Sequence, residues 1–576
     1  MNQKLENILN VSLDATEDEL RKADSLSTGY NWRDNTWEII VKYSGSLESI
    51  RNRYNVYIKE LLNYYAIIVA DKATIELISQ EDVIDYVEKP KSLYYQIERT
   101  KTAACVGSVR ADGNILSGKG VIVGVIDTGI DIFDNAFRNS DGTTRILNIY
   151  DQTTGEKYDK QSIDEYIRLN EDLSGGTFSY DNAPGVDNIM HGTDVSYIAA
   201  GSLGVAYEAD IIAVKMGYSI NNQFPRTTSL MDAIDYIIRK AIEYRKPVAV
   251  NIGYGCNYGA HNGNTLLESF IDDISKSYRC VICVGSGNEA DKAIHFGGII
   301  NTGQVQTAYL SVGEYQSAID IQIWKNYWDT IDVMLINPRG EQIGIITEGR
   351  INRYETYNTE IITLLGEPSP YNIYQEIYIN LIPKTDYILS GIWQIVLMAG
   401  SIRAGEYNIW LPSSQALGYA TAFNNPTADG TITIPATARN CIAVGAYNAY
   451  TNSYAAFSGR GFDNSIRNVN AGVKPDITAP GVDISIARQR GNDITYRNVT
   501  GTSYAVPVVT GAAALLMQWG IVMGNDRFMY GEKLKAALID GSKPVGLVGI
   551  TRNDNQPDPR TGWGAVCLKN TLNKIL

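Results

Sequence analysis

Four nearly continuous apolar runs, Val121–Ile126, Ile211–Val214, Val248–Ile252 and Val281–Val284, restrict the fold of this chain more than any other feature. A strand that is apolar at almost every position has no face to give to water, so both of its sides must be covered. Between the runs, Leu230, Ile234, Ile237, Ala241 and Tyr244 recur at helical spacing, as do Leu266, Phe270, Ile271 and Ile274. Buried strands alternating with amphipathic helices predict an α/β fold, a parallel sheet flanked by helices. The pattern starts at Gly118, breaks between about residues 300 and 419, and resumes at Thr431. It closes with helical segments Thr502–Trp519 and Gly531–Ile539.

The break is all β. Runs Ala318–Trp324, Ile331–Ile336, Ile377–Ile382, Trp393–Leu397 and Tyr407–Leu411 alternate between Gly, Pro and Asn punctuation, which predicts an inserted β-sandwich or jelly roll. Trp324, Trp328, Trp393 and Trp410 supply the apolar area for a second core. Before the α/β region, strand-like Trp37–Tyr43, helical Ser46–Arg53, a strand within Leu62–Ala70, helical Ala73–Gln80 and strand Val83–Val87 suit a ferredoxin-like sandwich. Lys89 to Ser108 lacks periodicity and reads as a linker. The chain thus divides into 1–96, 97–299, an insertion at 300–419, and 420–576.

Charge excludes one class of partner. Lys and Arg number 50 against 64 Asp and Glu, a net charge of −14 without a basic run, so no nucleic acid is expected. Met1–Leu20 lacks an apolar stretch of signal-peptide length, and no run approaches the ~20 apolar residues of a membrane span. Synthesis in the cytoplasm without a cleaved signal is expected. Cys280-x-x-Cys283 lies inside an apolar strand, which sets its sulfurs on opposite faces, so core packing rather than redox or zinc chemistry is expected. The sequence suggests no metal and no cofactor.

Four segments carry chemistry. Asp127-Thr128-Gly129 sits at the C-terminal end of a buried strand, where open parallel sheets place ligands. His191-Gly192-Thr193 opens a helical run and contains one of only three histidines. Gly501-Thr502-Ser503 feeds a small-residue helix, placing Ser503 at a positive dipole end with free N–H groups. Gly285-Ser286-Gly287-Asn288 ends another buried strand. A serine is a weak nucleophile at its free pKa and needs a base whose tautomer is fixed by a third group.

In the order Asp, His, Ser, these segments resemble the subtilisin-like serine peptidases. The resemblance implies Ser503 as nucleophile, His191 as general base and then acid, and Asp127 as the group that orients and supports the imidazolium. It implies Asn288 as an oxyanion donor beside the Ser503 N–H, and Gly253, Tyr254, Gly255, Ser286 and Gly287 as the substrate cleft. Asp131–Gln152, Val250–Gly255, Gly259-Ala260-His261 and the β insertion are similar to the Csp-type subtilases of spore-forming clostridia. That group has a propeptide before the catalytic domain and a jelly roll within it. Its likeness implies limited proteolysis that activates a spore-cortex lytic proenzyme during germination, and a spore-associated location. It also implies a propeptide, residues 1–96, that acts as chaperone and inhibitor, is cut by the enzyme itself between Gln96 and Ile97, and stays in the cleft. His191 and Ser503 are 312 residues apart, against about 160 in subtilisin, and the excess accommodates the insertion.

The chain departs from the family pattern at three places. Asp194 stands where many relatives have a second histidine. Gly201–Val205 is too short for the calcium loop of secreted subtilisins, so no such site is expected. Gly253-Tyr254-Gly255 replaces the common Ser-Leu-Gly, so primary specificity does not transfer, and the Tyr254 ring is expected in the cleft. The alternatives are a degradative subtilase, a non-catalytic pseudoprotease or germinant sensor, and carbohydrate binding through the β insertion.

Overall fold

The apolar runs lie side by side in a nine-stranded sheet. Its order is Glu156–Asp159, Ile146–Asp151, Asp210–Lys215, Ile122–Asp127, Val248–Ile252, Cys280–Gly285 and Ile442–Asn448, the last carrying Ser453–Tyr454 and Ile477–Pro480. Pairing is parallel from Ile146–Asp151 through Ile477–Pro480. Both neighbours of Ile122–Asp127 come later in the chain, so the sheet's topology switches there and a crevice opens at its C-terminal end. The structure, a computed structural model, describes residues 2–92, 94–95, 110–111, 114–171, 183–217, 224–346, 350–462, 473–490, 493–546 and 557–576.

Helices His191–Ala200, Thr502–Met517 and Gly531–Asp540 pack on one face of the sheet, and Thr227–Tyr244 and Leu266–Ser277 on the other. Cys283 joins the first core and Cys280 the second, as the period of two requires. Thr502–Val522 corrects one expectation, because it is long and apolar enough to span a membrane, with a mean hydropathy of 1.7. Of its apolar 18-residue window 83% is buried, and its Val506, Val509 and Leu516 belong to the sheet's core. An all-round apolar helix is what the middle of a large core demands.

The N-terminal unit has strands in the order Tyr57–Glu60, Tyr65–Ala70, Thr36–Tyr43 and Ile84–Glu88, with Glu48–Tyr54 and Lys72–Gln80 as its helices. That is the ferredoxin-like order, preceded by helices Asn7–Asp14 and Glu17–Lys22 that the periodicity did not announce. Tyr65 and Ile67 pack into the helix layer of the main sheet, and Glu88 accepts from Leu266 N at 2.8 Å, an anion at a helix N-terminus. The linker reading fails at its start. Lys89, Lys91 and Ser92 are buried, with Lys91 Nζ 2.7 Å from Glu6 and 2.5 Å from Glu88.

The insertion is a sandwich of a six-stranded and a five-stranded antiparallel sheet around Trp393, Trp410 and aliphatic partners. Trp324 packs against this core and Trp328 is exposed. Its strands run from His295–Ile299 to Ala422–Phe423, wider than the 300–419 read from alternation. The glycines of His295–Ile299 hide the alternation, yet this strand pairs fully with Glu406–Trp410. Ile362, Leu364, Tyr378 and Ile382 of the sandwich complete the core of the N-terminal unit. Asn257 Nδ2 and Gly259 N reach Leu411 O and Gln322 Oε1 across the catalytic side. The sandwich is therefore wedged against both other units.

Candidate active site

Asp127 ends the central strand, His191 is the first residue of its helix, and Ser503 lies in the first turn of the core helix. These element ends meet in the crevice. His191 Nδ1 is 2.6 Å from Asp127 Oδ1, and His191 Nε2 is 3.0 Å from Ser503 Oγ. Nδ1 faces a carboxylate and must donate, which leaves Nε2 as the acceptor for the serine proton. Burial disfavours the imidazolium, but the charge and hydrogen bond of Asp127, followed by the charges of Asp194 and Asp187, outweigh it. The pKa of His191 therefore lies above its ordinary 6.5.

A second carboxylate, absent from the sequence reading, ties these ends together. Fully buried Asp187 accepts from Thr128 Oγ1 at 2.6 Å, Met190 N at 2.7 Å, Thr193 N at 2.8 Å and Thr193 Oγ1 at 2.7 Å. Thr128 Oγ1 in turn accepts from Gly192 N at 2.9 Å. The loop after the Asp127 strand is thereby fixed to the His191 helix. Asp187 lies in an aperiodic segment, and its only sequence signal is its place four residues before His191.

The backbone N–H of Thr502 can only donate, so the atom of Asn288 3.0 Å away must be the amide oxygen, which also takes Thr502 Oγ1 at 3.1 Å. Asn288 Nδ2 is then buried without a partner among the described residues. An unpaired buried donor costs about 1–3 kcal/mol, an expense justified where negative charge develops during reaction.

Gly253 borders all three catalytic side chains. A Cβ there would lie 3.2 Å from Asp127 Oδ2, 3.3 Å from Ser503 Cβ and 3.5 Å from His191 Cε1. The Tyr254 ring is not in the cleft. Val248, Val250, Ile252, Tyr254 and Cys256 share one core, so the period of two turns Tyr254 inward and presents Gly253 and Gly255 to the catalytic side. Ser286 and Gly287 form an inner wall rather than an open edge. The Ser286 hydroxyl faces Ser458 Oγ at 3.3 Å, and the Ser286 and Gly287 carbonyls accept from Thr433 N and Gly459 N. Tyr94–Tyr95 pairs antiparallel with Tyr254–Gly255, Tyr95 opposite Tyr254. Gln96 and Ile97 lie outside the described residues. Among the described residues no cluster of three or more His, Cys, Asp or Glu could hold a metal.

A serine relayed through histidine to a buried carboxylate, at the switch point of a parallel sheet, defines a serine peptidase of the subtilisin type. Comparison with known proteins agrees: residues 118–367 and 404–564 match the subtilase family, and residues 3–91 match the Csp protease B prodomain. The chain belongs to the subtilase family. It is similar to the solved CspB protease of Clostridium perfringens, with 34% identity and a TM-score of 0.72 over 80% of this chain and 94% of that one. It is also 33% identical over 128 residues to the subtilase-type proteinase RRT12 of Saccharomyces cerevisiae, and 34% identical over 120 residues to subtilisin-like protease 10 of Arthroderma otae. These stretches are 22% and 21% of this chain, and they span only 23% and 27% of those two relatives.

Proposed function

We propose that this chain is a serine endopeptidase of limited proteolysis whose first substrate is its own propeptide. The observation that carries the reading is the pairing of Tyr94–Tyr95 with Tyr254–Gly255. Gln96 follows Tyr95 in the sequence, and Gly253, which precedes Tyr254, borders the catalytic side chains. Attack by Ser503 Oγ on the Gln96 carbonyl, with its proton passing to His191 Nε2, gives a tetrahedral oxyanion that Asn288 Nδ2 and the Ser503 N–H stabilise. Collapse expels the Ile97 amine, which takes the proton from His191, and water then releases the acyl group by the same route.

The severed propeptide stays bound, because its pairing in the cleft and its contacts with the main helices and the sandwich do not depend on the Gln96–Ile97 bond. The later substrate is a cortex-lytic proenzyme of the germinating spore, and the protein is spore-associated. This finer reading rests on the likeness to Csp-type subtilases. It is tested by incubating the wild type and the Ser503→Ala variant with such a proenzyme. Site-specific shortening by the wild type alone supports the assignment, and an intact proenzyme refutes it.

A further inference from the structure

Asp194 is wholly buried one helical turn after His191, on the same side of their helix. A buried carboxylate is costly unless paired, and its partners come from the hairpin formed by Ile484–Arg490 and Asp493–Val499. Arg488 Nε donates to Asp194 Oδ1 at 3.0 Å, and the same guanidinium donates to Met190 O at 2.8 Å. Arg497 lies 2.9 Å from Asp194 Oδ2. The charge of Arg497 also acts on Tyr504, whose ring centroid is 5.0 Å from that of His191. One hairpin therefore holds the residue before His191 and the residue three after it.

Met190 is where such a hold is needed. Its φ of 67° is left-handed, a conformation that costs a non-glycine residue roughly 1–2 kcal/mol. Its N–H is fixed by Asp187 at 2.7 Å and its carbonyl by Arg488. We infer that Asp194, seated by Arg488 and Arg497, is a positioning residue for the catalytic base: it locks the turn that carries His191 and gives the imidazolium a second carboxylate beyond Asp127. The inference rests on the serine-peptidase reading for its purpose. Its electrostatic part stands on the site alone.

The charges acting on His191 agree with this role. Asp194 follows Asp127, and precedes Asp187, among the groups that favour the protonated ring. Burial lifts the carboxyl of Asp194 itself, and the two arginines oppose that lift, so its ionised form depends on the hairpin being in place. By Coulomb's law the positive charges that Arg488 and Arg497 bring to Asp194 act against a nearby imidazolium, which gives the removal of either sign of charge a distinct signature.

The test is an NMR titration of histidine side chains in Ser503→Ala chains, with His191 assigned by His191→Gln. Adding Asp194→Asn should lower the His191 midpoint by about one pH unit, the order for a carboxylate lost at this spacing. Adding Arg497→Gln, at a side chain 41% exposed and with the Arg488 bonds retained, should raise it. Opposite shifts support the inference, and no shift or shifts of one sign overturn it. If Asp194→Asn does not fold, Arg497→Gln decides by the presence or absence of the upward shift. Peptide hydrolysis by the wild type, with Ser503 in place, is measured separately, so an inactive wild type with both shifts intact would remove only the peptidase reading.

Discussion

The two ends of the Asn288 amide do different work, and two substitutions separate them. Its oxygen holds the first turn of the Ser503 helix through Thr502 N and Oγ1, while its NH2 group is a buried donor awaiting charge. Asn288→Asp keeps the acceptor and removes the donor. Loss of the equivalent donor in subtilisin costs ~2.7–4 kcal/mol of transition-state stabilisation, so kcat should fall by about 10²–10³ with little change in stability. Asn288→Ala removes both ends and leaves the buried Thr502 N–H without its acceptor. It should lose activity to a similar degree and about 1–3 kcal/mol of stability besides. The assays are hydrolysis of a fluorogenic peptide ending in Leu93-Tyr94-Tyr95-Gln96 and unfolding in denaturant. An Asp variant whose kcat stays within a few-fold of wild type would refute the oxyanion role, and equal stability of the two variants would refute the division of labour.

Gly253→Ala should reduce kcat/KM by about 10²-fold without unfolding the chain, since its methyl enters the space bounded by Asp127, Ser503 and His191; near-normal hydrolysis would show that the glycine is not needed there. His191 must be neutral to take the serine proton, and its pKa is raised, so kcat/KM should fall as pH drops through a midpoint above 6.5. A pH–rate profile with its acid limb below 6.5 would contradict that charge balance. Asp187→Ala leaves the donors of Thr128, Met190 and Thr193 without their acceptor. It should destabilise the chain by about 3 kcal/mol and be visible in denaturant unfolding, where a change under about 0.5 kcal/mol would rule the network out as a structural tie.

The parallel sheet and the Asp127, His191 and Ser503 segments were legible because each feature is local: apolar runs fix strands, and residues at strand and helix ends face the crevice. Tyr254 was misplaced although the alternation begun at Val248 already assigned its face. Helix Glu17–Lys22 also carries a local signal, the capping box of Thr16 and Glu19, but the apolar clusters around it are too short to show helical periodicity. Asp187, Arg488 and Arg497 were not legible. Their roles exist only once separate segments meet, Thr128 being 59 residues from Asp187 and Arg488 294 from Asp194, and nothing in a charged residue's neighbours states which partner it will be buried against. Lys89 and Lys91 misled for the same reason, since lysines in an aperiodic stretch read as linker until Glu6 and Glu88 are seen beside Lys91.

The central claim is that Ser503 cuts this chain's own propeptide from the cleft it occupies. Intact mass and N-terminal sequence of purified wild type, beside Ser503→Ala, test it directly. The wild type should yield a chain beginning at Ile97 with residues 1–96 co-purifying, and the variant a single uncut chain of 576 residues. An uncut wild type, or a variant cut at the same bond, would contradict the account.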